Sequence, residues 1–158
     1  MVVKLDSSLK KYNTMKKLIS IAACLFVLSS FALANIPNEK VLKVFSESFA
    51  APSEVKWFEG NDYYEVRFVE SNIRSVVSYD KEGNFLRSLR YYDESKLPFY
   101  VSCKLKKRFS DKKVYGVTEK VDEGILTYYV KMESDTHWVT VKVDADGSMD
   151  VVEKYKKA

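Results

Sequence analysis

"YYEVRFVESNIRSVVSYDKEGNFLRSLRYY", residues 63–92, decides the fold. Tyr64, Val66 and Phe68 alternate with Glu65 and Arg67, the two-residue period of a strand that buries one face and wets the other. Two further β-rich runs, "RSVVSYD" and "NFLRSLRYY", follow across Ser71-Asn72 and Lys81-Glu82-Gly83. Connections this short allow only antiparallel hairpins. Upstream, "EVKWFE" at 54–59 adds a fourth strand across the "GND" turn.

Downstream the same order recurs at an offset of 64 residues. Tyr64, Val66, Val77, Asp80, Gly83 and Tyr91 meet Tyr128, Val130, Val141, Asp144, Gly147 and Tyr155 without a gap. The strand runs are "KVYGVTE", "ILTYYVKME", "HWVTVKVD" and "SMDVVEKYK", with a longer first connection at "KVDEG". A short helix precedes each set. "IPNEKVLKVFSESF" sets Val41, Leu42, Phe45 and Phe49 at helical spacing behind Pro37, and "LPFYVSCKLKKRF" does the same with Val101, Leu105 and Phe109 behind Pro98. One-faced helices need a sheet to cover. The fold expected is therefore α+β: a tandem repeat of a helix followed by about four antiparallel strands, with the helices on one face of the sheet and the other face open.

"VDADGSM" at 143–149 could start a calcium loop, with Asp144, Asp146 and Asp150 as ligands. An EF-hand loop needs its glycine at about the sixth position and a glutamate at about the twelfth, whereas Gly147 is the fourth residue from Asp144. "YDKEGNF" occupies the equivalent place with lysine and glutamate between the same Asp and Gly, so the turn reading is preferred and no metal is assigned.

The N-terminus reads as a leader. "MKKLISIAACLFVLSSFALA", from Met15 to Ala34, has two lysines, an apolar run and an A-x-A end, the pattern of a secretory signal peptide cut after Ala34. Met15 is also a plausible true start. The domain assignment is 1–34 for the extension and leader and 35–158 for one domain, with halves at 35–96 and 97–158. Cys24, after Ile21-Ala22-Ala23, offers a lipoprotein alternative, but the residues behind it stay apolar where a lipoprotein turns polar. No later apolar run is long enough for a transmembrane helix. The expected location is periplasmic or extracellular.

Removing the leader changes the charge. Five of the 26 basic and one of the 22 acidic residues lie in the first 34 positions, which leaves 21 of each. A near-neutral domain gives no bulk attraction for nucleic acid. Cys103 then has no intramolecular partner, so a monomer is expected, with a Cys103-linked dimer as the alternative.

No H-E-x-x-H, P-loop, G-x-G-x-x-G or C-x-x-C motif is present, and the single histidine, His137, has no nucleophile motif beside it. The expectation is a noncatalytic protein without a cofactor. "KLKKRFSDKK" at 104–113 reads as a solvated helix face. Alternation places Tyr63, Glu65, Arg67, Arg74, Val76, Arg90 and Tyr92, with Tyr129, Lys131, Trp138, Thr140 and Lys142, on the open side of the sheet. Tyr, Trp and Arg are the types that concentrate binding energy, which makes Tyr63, Arg67, Arg74, Arg90, Tyr92, Tyr129, Lys131 and Trp138 the candidate protein-binding residues. Cross-strand pairing of aromatics and charges is the competing structural explanation.

V-K-W at Val55–Trp57, Y-x-V at Tyr64–Val66 and D-x-x-G at Asp80–Gly83, behind a leader and a short helix, resemble the PepSY-like domains also described as β-lactamase-inhibitor-like, found in secreted bacterial proteins. The second half keeps Tyr128, Val130, Asp144 and Gly147 but has "VYGV" in place of V-K-W. The resemblance implies an envelope protein whose partner is a protein or peptide, with inhibition of an exported enzyme as one form of that role. It transfers no inhibitory residue, because the shared motifs contain none. A small-ligand or calcium-sensing envelope module is the alternative.

Overall fold

The computed structural model describes residues 36–157; the leader at Met15–Ala34, its cleavage site, Cys24 and Ala158 lie outside the described residues. Helix α1 (Glu39–Ser48) leads into strands β1 (Ser53–Glu59), β2 (Tyr63–Glu70), β3 (Ile73–Asp80) and β4 (Phe85–Tyr92). A 3-10 turn, η1 (Glu94–Lys96), and helix α2 (Phe99–Arg108) then precede β5 (Lys113–Asp122), β6 (Ile125–Glu133), β7 (His137–Asp144) and β8 (Met149–Lys156). All eight strands form a single antiparallel sheet in the order β1-β2-β3-β4-β5-β6-β7-β8.

This corrects the expected α+β tandem repeat: the molecule is a mainly β structure, one sheet with two short helices among the described residues. The joint is the β4–β5 ladder, which runs from Arg87↔Asp122 to Tyr92↔Val117. Four-stranded units standing apart would leave the backbone N–H and C=O groups of β4 and β5 unpaired, and the ladder satisfies both strands. Packing crosses the expected boundary at residue 96 as well. Tyr92 and Ile73 pack with residues of β6, β7 and α2. β5 is also longer than the sequence suggested, because "KVD" continues the strand and only Glu123-Gly124 turn.

Each helix starts or docks by a specific contact. Asn38 caps α1 by accepting from the Val41 N–H at 3.1 Å, and its amide donates to the Lys81 carbonyl at 2.7 Å, tying the helix start to the β3–β4 hairpin. α2 begins behind Pro98 without a side-chain cap and is held from its other end. Lys104 donates to the Gly147 carbonyl at 3.1 Å and Arg108 to the Met149 carbonyl at 2.5 Å. Part of the basic run at 104–113 therefore stitches the helix to the β7–β8 hairpin.

The buried residues form two clusters. Val41 and Phe45 of α1 pack on Tyr64, Val66, Phe68, Val77 and Tyr79, and Val101 and Leu105 of α2 pack on Tyr128, Val130, Met132, Val139, Val141 and Val143. Between them, on the same side of the sheet, runs a polar seam. Register places Ser75 opposite Arg90 and Arg90 opposite Glu119. Arg90 donates to Glu119 Oε1 at 2.9 Å and the Tyr92 hydroxyl donates to Oε2 at 2.7 Å. One carboxylate, with its side chain 15% exposed, thus satisfies two donors.

The seam predicts an alkaline weakness. Burial first, then the hydrogen bond to Glu119, raises the pKa of the Tyr92 hydroxyl well above the ordinary phenol value, and burial also raises Tyr79 and Tyr128. A raised phenol pKa keeps the proton in the folded state where the unfolded chain has lost it, so stability is full below about pH 10 and falls as pH rises beyond it. Tyr92→Phe should cost about 1–2 kcal/mol near neutrality, for the lost bond to a charged acceptor, and should flatten the alkaline decline. Urea unfolding from about pH 8 to about pH 11 measures both; an unchanged slope in the variant would remove Tyr92 from the explanation.

Candidate functional site on the open sheet face

The face opposite the helices can be read row by row across the ladders. One row carries Val69, Arg74, Tyr91, Thr118, Tyr129, Lys142 and Asp150, and the next toward α2's connection carries Gly116, Lys131, Thr140 and Glu153. Tyr63, Arg67, Arg74, Tyr129, Lys131 and Trp138 of the sequence-derived set lie on this face. Arg90 and Tyr92 do not.

Their facing is set in the β3–β4 hairpin. Tyr79 pairs with Phe85 but Ser78 pairs with Arg87, so Leu86 is an extra residue in β4. A bulge of one residue inverts the facing of everything after it. Without it Arg90 would stand beside Arg74 on the open side; with it Arg90 and Tyr92 turn to the helix side of the sheet, and Tyr91 takes the open position. The β7–β8 hairpin carries the same device. Val141 pairs with Val151 and Thr140 with Glu153, which leaves Val152 extra and sets Tyr155 opposite Trp138.

Both bulges follow a turn built alike. The Asp80 N–H donates to the Asn84 carbonyl and the Gly83 N–H to the Asp80 carbonyl; Asp144, Ser148 and Gly147 repeat the pattern. Gly83 and Gly147 sit at φ +92° and +81°, a region costly for any residue with a Cβ. The aspartates are occupied by the turn. Hydrogen bonds from the Asn84 side chain and backbone, and from the Glu82 N–H, hold the Asp80 carboxyl below its usual range. Asp146 accepts from the Ser148 N–H at 2.8 Å, and Asp144 pairs with Lys142 at 2.9 Å. Among the described residues no three His, Cys, Asp or Glu side chains, Asp144, Asp146 and Asp150 included, gather in a way that could hold a metal.

A third bulge shapes the site itself. Val114 pairs with Met132 and Gly116 with Lys131, so Tyr115 is extra in β5. Its ring meets Trp138 edge-on, with centroids 4.9 Å apart at 84°, while the residue stays 65% exposed. Beside it, Gly116 opens the floor, since a Cβ there would meet nothing within 4 Å. The result is a hollow of about 360 Å³ lined by Tyr91, Tyr115, Gly116, Tyr129, Lys131 and Thr140. Tyr91, Tyr115 and Tyr155 escaped sequence reasoning. Gly116 inside a strand was the available signal, because such a glycine often marks a bulge.

The charges of this face are unevenly satisfied. Arg67 holds Glu65 at 2.8 Å and stacks over Phe58, Lys120 holds Asp122 at 2.8 Å, and Lys142 holds Asp144. Arg87 donates to the Ser78 hydroxyl at 3.4 Å and lies over the Tyr63 ring. Lys131 instead lies over Trp138 and Tyr155, 5.2 and 5.7 Å from their centroids, and its ammonium pKa is pushed up by the neighbouring Tyr155 hydroxyl, then by Tyr115 and Glu153.

The remaining chemistry-bearing residues are dispersed. His137 faces Thr136 Oγ1 from Nδ1 at 2.9 Å at the start of β7, and Cys103 is exposed on α2 beside Leu97 and Phe99. No described helix is long and apolar enough to cross a membrane.

No family model matches this chain, and no curated protein matches it at a significant level. Solved structures do. A BLIP-like protein from Bacteroides fragilis superposes with TM-score 0.57 at 15% identity, over 77% of this chain and 86% of its own. A DUF2874 family protein from Bacteroides uniformis gives TM-score 0.55 at 13% identity, over 77% of this chain and 90% of its own. A periplasmic-protein candidate from Bacteroides eggerthii gives 0.55 at 14%, over 77% and 89%. At such identities the likeness is one of backbone architecture: this chain is similar in fold to BLIP-like and DUF2874 proteins.

Proposed function

We propose that this is a noncatalytic envelope protein whose open sheet face binds another protein or peptide, with inhibition or modulation of an exported enzyme as the form this binding takes. The observation that carries the reading is the aromatic hollow: Tyr91, Tyr115 and Tyr129 ring a glycine floor, with Trp138 edge-on to Tyr115, on a face that no described helix covers. Large aromatics around a concavity are where interfaces place their strongest contacts. Simple cross-strand pairing would not require a hollow or a bulge that lifts Tyr115 out of register. The leader at Met15–Ala34 supports export, and the fold likeness to BLIP-like proteins supports a binding role. The PepSY-like kinship rests on Val55–Trp57, Tyr64–Val66 and Asp80–Gly83 and belongs to the same proposal.

Capture from envelope extract by the tagged, exported protein tests it. A Tyr129→Ala, Trp138→Ala variant with an unchanged circular dichroism spectrum should enrich the partner about tenfold less, since loss of a central aromatic costs about 2 kcal/mol or more. Gly116→Leu fills the hollow from a position with open space above it and should have the same effect. Equal capture by all three proteins would remove the open face from the function.

A further inference from the structure

We infer that the hollow selects an acidic segment of its protein partner, receiving an apolar or aromatic side chain over Gly116 while a neighbouring carboxylate pairs with Lys131. The inference rests on the binding role proposed above and deepens it by naming the partner's chemistry. Its basis is a contrast within one surface. Arg67, Lys120 and Lys142 each keep a carboxylate on their own strand, whereas Lys131 and Arg74 make no ion pair within 4 Å among the described residues. Lys131, opposite Gly116, lines the hollow, and Arg74 stands on the adjoining strand opposite Tyr91.

The lysine is also pre-positioned. Its ammonium rests over Trp138 and Tyr155, and Tyr115 meets Trp138 edge-on. The Lys157 ammonium lies 4.8 Å from the same Trp138 centroid but already holds Glu133 at 2.9 Å. A cation held against aromatic faces is partly desolvated and has lost side-chain freedom, so an arriving carboxylate meets a fixed donor with a small ordering cost. Of the carboxylates nearest this corner, Glu133 is paired with Lys157, and Glu153 accepts from the Thr140 hydroxyl at 2.8 Å and acts on Lys131 only from beyond 4 Å. Lys131 thus reaches the rim of the hollow as a cation with no ion pair within 4 Å among the described residues.

The test is selection of a phage-displayed random heptapeptide library on the exported protein, counter-selected on the Gly116→Leu variant so that only peptides needing the hollow survive. Asp or Glu next to Phe, Tyr, Trp or Leu should dominate the survivors. Their affinity should fall about fivefold in Lys131→Gln, which keeps the stem that packs on Trp138, and should fall further with added salt. Hollow-dependent peptides without acidic enrichment, or with affinity unchanged in Lys131→Gln, would overturn the acidic preference and leave the open-face reading standing. No hollow-dependent peptide at all would overturn both.

Discussion

Replacing Phe68 with alanine should lower the unfolding free energy by about 3–5 kcal/mol. The side chain is 2% exposed and sits where α1 meets β2. Its ring lies edge-on to Phe45, 5.2 Å away at 81°, and tilted against Phe49 at 4.5 Å. Trp57 packs edge-on against the far side of Phe45 at 5.2 Å, so the four aromatics form one chain of contacts with Phe68 inside it. Truncation removes the buried area and strands the neighbours' contacts. Urea denaturation measures the loss; a change under about 1 kcal/mol would show that α1 is not packed as described. Because the Ser75, Arg90 and Glu119 seam separates the two clusters, the loss of amide protection should concentrate in β1–β3 and spare β6–β8.

Leu105→Ala should cost about 2–5 kcal/mol, with the loss of protection at the opposite end of the sheet. Leu105 is 1% exposed and packs among Val130, Val141 and Val143. The contacts from Lys104 and Arg108 to the β7–β8 hairpin hold α2 at its distance, which limits collapse into the cavity and places the cost toward the upper end. Combined with Phe68→Ala, the two losses should add within about 0.5 kcal/mol, as expected for sites with no shared partner. A coupling above about 1 kcal/mol, read from the double-mutant cycle, would mean that the seam transmits packing between the clusters.

Much of the local structure was legible in the sequence because it depends on short-range physics. Alternation through Tyr64, Val66 and Phe68 marked a strand and its buried side, and the strand runs read from sequence overlap all eight observed strands. Pro37 and Pro98 marked helix starts that the structure places at Glu39 and Phe99. Asp80 with Gly83, and Asp144 with Gly147, were readable as turns because a tight turn demands an acceptor at its start and a positive φ near its end.

The candidate site was legible only in part. Tyr129, Lys131 and Trp138 followed from alternation on strands whose register is uninterrupted between β6 and β7. Arg90 and Tyr92 were misplaced, and Tyr91, Tyr115 and Tyr155 were missed, because single extra residues at Leu86, Tyr115 and Val152 shift the face without changing the composition of the strand. Whether a hairpin absorbs a residue as a bulge depends on how its two strands twist and pack, and of the three only the one at Tyr115 had a local sign, Gly116.

By itself, then, the sequence determined which segments are strands, which side each buries near a turn, and that two helices would need a sheet to cover. The joining of β4 and β5 into one sheet, and the bulges at Leu86 and Tyr115 that bring Tyr91 and Tyr115 around Gly116 beside Tyr129, came only with the assembled chain. The reason is the same in both cases. Backbone hydrogen bonds between segments distant in sequence set strand order and register, and those bonds are satisfied by the assembled sheet as a whole rather than by any segment of it.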